Sequence, residues 1–403
     1  MFKILYNLIL GIYLILSFPK FLYQRIRYRK YRNILPQKFG RIKLTDIDRS
    51  KGPVFWFHAV SLGESKVGIT FFKELKEKYP NSYVIFTTLT TTGYREIKED
   101  ETIDKVFYLP FDFSWIMKKL VRKIKPDFVF VVETDFWFNF LNESKNYAKI
   151  FLVNGKISQK SFKRLKFTKF FAKKLFQQFE HFCVQNKEYC DRFKQLGIPK
   201  NKISETGNVK FDFLVKSINH LEDFRKKYKI LPDDKIITIA STHDPEERLI
   251  LNILKPFLNE WKILLAPRHP ERLNAVERLV DDKNIILVKE MGVLPFCFSI
   301  SKLAIIGGSF SGDIGGHNII EPCLYNIPVI FGPHMHNQKD FVYLAMKYQL
   351  GYQVPISGIP RKIQEIDSTH FSKDEFLTHL KDLKEEIEGS SLKTLNVITP
   401  LMR

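Results

Sequence analysis

Cysteine is scarce in this 403-residue chain, which has four, Cys183, Cys190, Cys297 and Cys323, with no C-x-x-C pair among them. That spacing argues against a zinc ribbon or a disulfide frame, and their mostly apolar surroundings read as reduced core thiols of a cytosolic protein. His317, His334 and His336 invite a metal reading, but no H-E-x-x-H spacing accompanies them, and polar loop histidines are the better account; no metal is expected. A Walker loop and a Ser-His-Asp elbow are missing, which weakens ATPase and hydrolase readings. There are no internal repeats or low-complexity tracts, and no basic-aromatic platform of the kind nucleic-acid binders use. Acidic residues are outnumbered, 44 Asp and Glu against 64 Lys and Arg, and the formal charge of +20 calls for an anionic partner.

Long hydrophobic runs are also few. Residues 4–19 form an uncharged one, followed by Lys20, Arg25, Arg27, Arg29, Lys30 and Arg32. As a helix those sixteen residues reach about 24 Å, slightly short of a hydrocarbon layer of roughly 30 Å. No small-residue cleavage site follows, so the run reads as a membrane anchor or a deeply seated interfacial helix rather than a signal peptide. The positive-inside rule then places the rest of the chain in the cytoplasm, with anionic inner-membrane lipids as partners of the basic cluster. Residues 1–34 are assigned to this anchor and juxtamembrane segment.

From residue 53 onward short β-branched and aromatic runs alternate with helical patterns. Strands are expected at 54–58, 83–88, 105–109, 128–132, 150–153 and 181–185, with helices such as 66–78 and 161–178 between them. A charged segment at about 219–235 follows, read as a linker, and the alternation resumes with strands at 236–240, 262–266, 285–288, 303–306 and 329–331. This pattern predicts two α/β halves with parallel sheets, residues 35–218 and 219–403, and leaves open whether the last helices return to the first half. Ligands are expected in a cleft between the halves, at the carboxyl ends of strands.

Polar residues gather where the strands end. Ser61, Gly63 and Glu64 follow the first strand; a carboxylate held partly desolvated there suits a general base, although Ser61 and Glu64 also match a helix capping box. Thr87 and Thr88 close the next strand and could line a hydroxyl-rich sugar site. In the second half Ser241 and His243, then Arg268 and His269, occupy strand ends, the guanidinium suiting a phosphate. The stretch 307–331 carries Gly307-Gly308-Ser309 and then Gly315-Gly316-His317-Asn318, expected to open a helix containing Glu321 and Pro322. Glycines beside a helix N-terminus let a phosphate approach free N–H groups, and Glu321 could take a ribose, so the stretch reads as a nucleotide site.

Six segments together carry a family resemblance: 58–64, 133–139 with Trp137 inside it, 207–212 (Gly-Asn-Val-Lys-Phe-Asp), 240–243, 267–272 and 307–333. In this order, and with the apolar run ahead of them, they resemble the 3-deoxy-D-manno-octulosonic acid (Kdo) transferases. The resemblance implies a GT-B glycosyltransferase of two Rossmann-like domains that moves Kdo from CMP-Kdo to a lipid A precursor, inverting the anomeric centre without metal or cofactor. It also implies Glu64 as the base and places Arg268, Met291, Gly292, Asn318 and Glu321 at CMP, Asn318 near the phosphate and Glu321 near the ribose; Lys210 belongs to a matched segment. The chain departs from the usual pattern at Val293, in place of Glu, at Asp135, Phe136 and Phe138, and at Gly155-Lys156, in place of Ala-Arg. Another GT-B nucleotide-sugar transferase or epimerase, and a non-catalytic membrane-bound binder of anionic ligands, are the rival readings. The oligomeric state stays open.

Overall fold

The computed structural model describes residues 2–28, 34–44, 47–213, 220–368 and 371–403. Arg29, Lys30 and Arg32, and the division expected between 218 and 219, lie outside the described residues. The chain forms two compact units, Met1–Asp212 with Glu388–Arg403, and Phe213–Ile387.

The first unit is built on seven parallel strands: β1 (Val54–His58), β2 (Tyr83–Thr88), β3 (Lys105–Tyr108), β4 (Phe128–Val132), β5 (Lys149–Gly155), β6 (His181–Val184) and β7 (Ile203–Glu205). Their order is β3-β2-β1-β4-β5-β6-β7, all neighbours parallel. Successive residues of a strand face opposite sides, and helices cover both, so both sides must be apolar. Trp56, Ile85 and Val131 accordingly belong to one core, and Phe55, Phe57 and Phe130 to the other. The second core also takes Leu395, Ile398 and Met402, because the helix Ser390–Ile398 returns to this unit. Asp212 fixes that return, its carboxylate accepting the backbone N–H of Ser390 at 3.2 Å and of Ser391 at 2.7 Å. The preceding helix Lys373–Ile387 stays with the second unit, so only the last residues of the expected 219–403 domain cross back.

The second unit carries six parallel strands: β8 (Lys235–Thr242), β9 (Trp261–Pro267), β10 (Ile285–Leu287), β11 (Leu303–Ile306), β12 (Val329–Phe331) and β13 (Gly351–Gln353), in the order β10-β9-β8-β11-β12-β13. The charged stretch read as a linker contains the helix Leu221–Lys227, whose Phe224 is buried and stacks on Phe296 at 5.5 Å. In both sheets the strand order reverses once, between β1 and β4 and between β8 and β11. Such switch points leave a crevice beyond the strand carboxyl ends, the preferred ligand position in doubly wound sheets.

Candidate active site

The residues after β1, β4 and β5 meet at the first switch point. Glu64 lies in the first turn of the helix Leu62–Lys78, where Ser61 caps the N-terminus and its Oγ accepts the Glu64 N–H at 3.4 Å. The Glu64 carboxylate turns back and accepts the Val60 N–H at 2.6 Å, while the Val60 carbonyl accepts the hydroxyls of Thr88 at 2.9 Å and Thr90 at 3.1 Å. The capping geometry and the candidate base are therefore one arrangement. A side chain added at Gly63 would meet no heavy atom within 4 Å, so the space beside this turn is open.

Burial raises the Glu64 pKa above the usual carboxylate value; the Val60 N–H opposes it, Glu133 and Asp135 add to it, and Lys156 draws it down. Glu133 is 2% exposed and stays charged: burial alone would raise its pKa, but Lys156 and Lys210 outweigh that and lower it. Lys156 forms an ion pair with Glu133 Oε2, Lys210 Nζ lies 2.8 Å from Oε1, and Asn154 Nδ2 donates to Oε1 at 3.2 Å. Asn154 in turn accepts the Val209 N–H at 3.0 Å, which holds the turn bearing Lys210.

Thr87 and Thr88 do not line an open site, a correction to the sugar-site expectation. Both are fully buried. The Thr87 hydroxyl accepts Trp56 Nε1–H at 3.0 Å and lies 3.1 Å from His58 Nδ1, so these threonines brace the base-bearing turn from beneath. Burial, with Lys38 a lesser cause, pushes the buried His58 pKa down to about 3, so His58 is neutral.

At the second switch point Ser241, the next-to-last residue of β8, takes a left-handed φ of 58° where the β8–β9 register shifts. His243 follows, and its Nε2 shares a hydrogen bond of 2.8 Å with His317 Nε2 while the rings stack at 5.1 Å; His269 packs edge-on to His243 at 5.0 Å. Burial, then His243, Arg268 and His269, push the His317 pKa down to about 4. Beside them Arg268 is exposed and has no carboxylate partner among the described residues. Beneath the loops, the buried Glu246 accepts backbone N–H groups from His243 at 3.0 Å, Gly308 at 2.6 Å and Phe310 at 2.9 Å.

The helix expected to open at Gly315 begins instead at Ile320 and runs only to Leu324. Gly315 and Gly316 have φ of 84° and 89°, outside the right-handed helical region, and a Cβ on Gly316 would sit 2.2 Å from Met335 Sδ. Asn318 Oδ1 accepts the N–H groups of Ile320 at 3.0 Å and Glu321 at 3.2 Å, so its oxygen is engaged, and its Nδ2 has no partner among the described residues. Glu321 is half-buried in the first turn. Met291, 63% exposed, and Gly292 form a turn before the helix Leu294–Ser299. The structure thus groups Glu64, Ser61 and Gly63 with Glu133, Asp135, Lys156 and Lys210, and groups Ser241, His243, Arg268 and His269 with His317. Among the described residues no three His, Cys, Asp or Glu side chains gather into a metal-binding group.

The sequence reading underrated Lys156 and missed Glu246. Lys156 was visible as a basic residue just after a strand, but its pairing with Glu133 is tertiary. Glu246 follows Asp244-Pro245, which resembles an ordinary helix start.

The family model described as 3-deoxy-D-manno-octulosonic-acid transferase (kdotransferase) matches residues 33–213. A 3-deoxy-D-manno-octulosonic acid transferase of Chlamydophila psittaci is 33% identical over 356 residues, covering 83% of this chain and 82% of the relative. The chain belongs to the Kdo transferase family. Another transferase of that name, from Haemophilus influenzae, is 27% identical over 94% of this chain and 93% of its own length. Among solved structures, a glycosyltransferase from Rickettsia africae superimposes with a TM-score of 0.61 at 15% identity, covering 86% of this chain and 97% of that one. UDP-GlcNAc 2-epimerase from Neisseria meningitidis gives 0.57 at 14%, covering 87% and 99%. These structural likenesses establish the GT-B type of fold, two Rossmann-like α/β units accompanied by an apolar first helix.

Proposed function

We propose that the chain is an inverting, metal-independent glycosyltransferase that moves Kdo from CMP-Kdo to a lipid A precursor, lipid IVA, during lipopolysaccharide biosynthesis. Glu64 carries the reading: a half-buried carboxylate with a raised pKa at a strand-end turn that is open beside Gly63. Glu64 takes the proton of an acceptor glucosamine hydroxyl while that oxygen bonds to the Kdo anomeric carbon, and the bond to CMP breaks with its electron pair leaving on the phosphate. A positioned base contributes roughly 10²- to 10⁴-fold. Arg268 and the Asn318 Nδ2 are the donors assigned to the phosphate, Glu321 is assigned to the ribose, and the backbone of Met291 and Gly292 to the cytosine. No cofactor is required beyond the sugar nucleotide.

The apolar first helix and the basic residues that follow suit an acceptor that is itself a phosphorylated lipid. We place the enzyme at the cytoplasmic face of the inner membrane, among anionic lipids. Mass spectrometry of lipid IVA incubated with the purified protein and CMP-Kdo generated in situ tests the reaction; the expected product is heavier by one or more Kdo residues. An unmodified acceptor, together with a thermal shift given by UMP and not by CMP, would favour a uridine-nucleotide enzyme instead.

A further inference from the structure

We infer that the helix Phe2–Tyr28 lies in the plane of the membrane surface rather than crossing the bilayer, one face held by the first α/β unit and the other, with Phe167 and Phe170, seated in an anionic lipid interface. This rests on the membrane reading above and decides how the helix meets the bilayer.

The start of the helix is tied to the folded unit. Tyr6 Oη donates to Asp112 Oδ2 at 2.9 Å, and Asn7 Oδ1 accepts the Ser114 N–H at 3.0 Å and Asn139 Nδ2–H at 3.2 Å. Lys3 forms an ion pair with Glu143, and Phe2 packs on Phe138 at 4.7 Å and Phe171 at 5.6 Å. Asp112 is 1% exposed and also accepts the N–H groups of Asn139 at 2.9 Å and Phe140 at 2.7 Å, so it belongs to the frame of the unit. The other end of the helix is tethered too: Ile34 is buried in the same unit, and the chain from Tyr28 to Ile34 spans at most roughly 22 Å. A spanning helix needs its ends on opposite sides of roughly 30 Å of hydrocarbon. Residues 2–7 cannot be across that layer and on Asp112 together.

The opposite face has the chemistry of a lipid contact. Ile4, Leu8, Ile12, Ile15 and Leu16 each expose half or more of their surface, and Phe2–Pro19 has a mean hydropathy of 1.7. Phe170, 67% exposed, lies 6.0 Å from Phe2, and Phe167 is 92% exposed. These two phenylalanines sit on the short helices Gln159–Phe167 and Lys169–Phe176, which also carry Lys163, Arg164, Lys166, Lys169 and Lys173. Exposed aromatics among lysines fit an anionic surface, the rings entering the interface and the cations meeting the headgroups.

Nitroxide labels on variants of the full chain with one cysteine introduced at Ile4, Leu8, Ile12 or Leu16, bound to vesicles of phosphatidylethanolamine and phosphatidylglycerol, test this. The native cysteines are all buried, which favours labelling of the introduced one. The expected result is one shared depth, about 5–10 Å into the interface, at all four positions. A graded profile, with Ile12 about 12 Å deeper than Ile4 as a rise of 1.5 Å per residue requires, would overturn the inference and leave the membrane reading standing. Absence of vesicle binding would overturn both. Replacing Phe167 and Phe170 together by Ser, with circular dichroism unchanged, should weaken vesicle affinity several-fold; unchanged affinity would remove these two residues from the lipid contact.

Discussion

The Glu64 carboxylate accepts the Val60 N–H at 2.6 Å, closing a short ring at the end of β1 in which the candidate base is aimed by the backbone that precedes it. The bond favours the charged carboxylate, while burial and two neighbouring acids favour the protonated form and prevail. The base is thus fixed in direction by its own turn and raised in basicity by burial and by the acids that follow β4.

The balance can be shifted at Asp135. A base must be deprotonated to work, so activity is lost as pH falls through the Glu64 pKa, and that acid limb should lie above the ordinary glutamate range. Asp135→Asn removes a negative neighbour that raises this pKa, so the limb of kcat/KM should move to lower pH. A pH–rate profile that is unmoved, or moved upward, would uncouple Asp135 from the base.

Beneath the turn, Thr87 gives a stability prediction. Thr87→Val keeps the shape but leaves Trp56 Nε1–H, a buried donor, without its acceptor at 3.0 Å, and takes the partner from His58 Nδ1. An unsatisfied buried group costs roughly 1–3 kcal/mol, to be read from urea unfolding. A midpoint equal to that of the wild type would show that the hydroxyl is not a structural partner.

Glu246 gives the corresponding prediction for the second unit. Its carboxylate gathers three backbone N–H groups from the loops that carry His243 and Gly308. Glu246→Gln puts an amide donor where an acceptor is needed, so stability should fall by roughly 1–3 kcal/mol and CMP affinity should fall with it. Calorimetric titration with CMP checks this; full affinity in the variant would separate the loop from nucleotide binding.

What the sequence made legible follows from which signals are local. Central strands such as Val54–His58 and Val329–Phe331 are buried on both faces, so continuous apolar runs announce them. The edge strands β7 (Ile-Ser-Glu) and β13 (Gly-Tyr-Gln) escaped because each is short, only partly buried and carries no continuous apolar run. The helix expected over 161–178 is two, broken at Thr168, whose φ of −96° and ψ of 47° are not helical; no proline or glycine marks the break. In the site, Glu64 was legible because its cap, strand and glycine are contiguous. The Glu133–Lys156–Lys210 cluster and the His243–His317 pair join residues from loops far apart in the sequence, and only the fold brings them together.

The central claim is that Glu64 is the base of Kdo transfer, and the most direct measurement is single-turnover transfer from CMP-Kdo to lipid IVA by the Glu64→Gln variant, alongside its thermal shift with CMP. Transfer slowed by roughly 10²- to 10⁴-fold with an unchanged CMP shift is the predicted result. Transfer at the wild-type rate would contradict it.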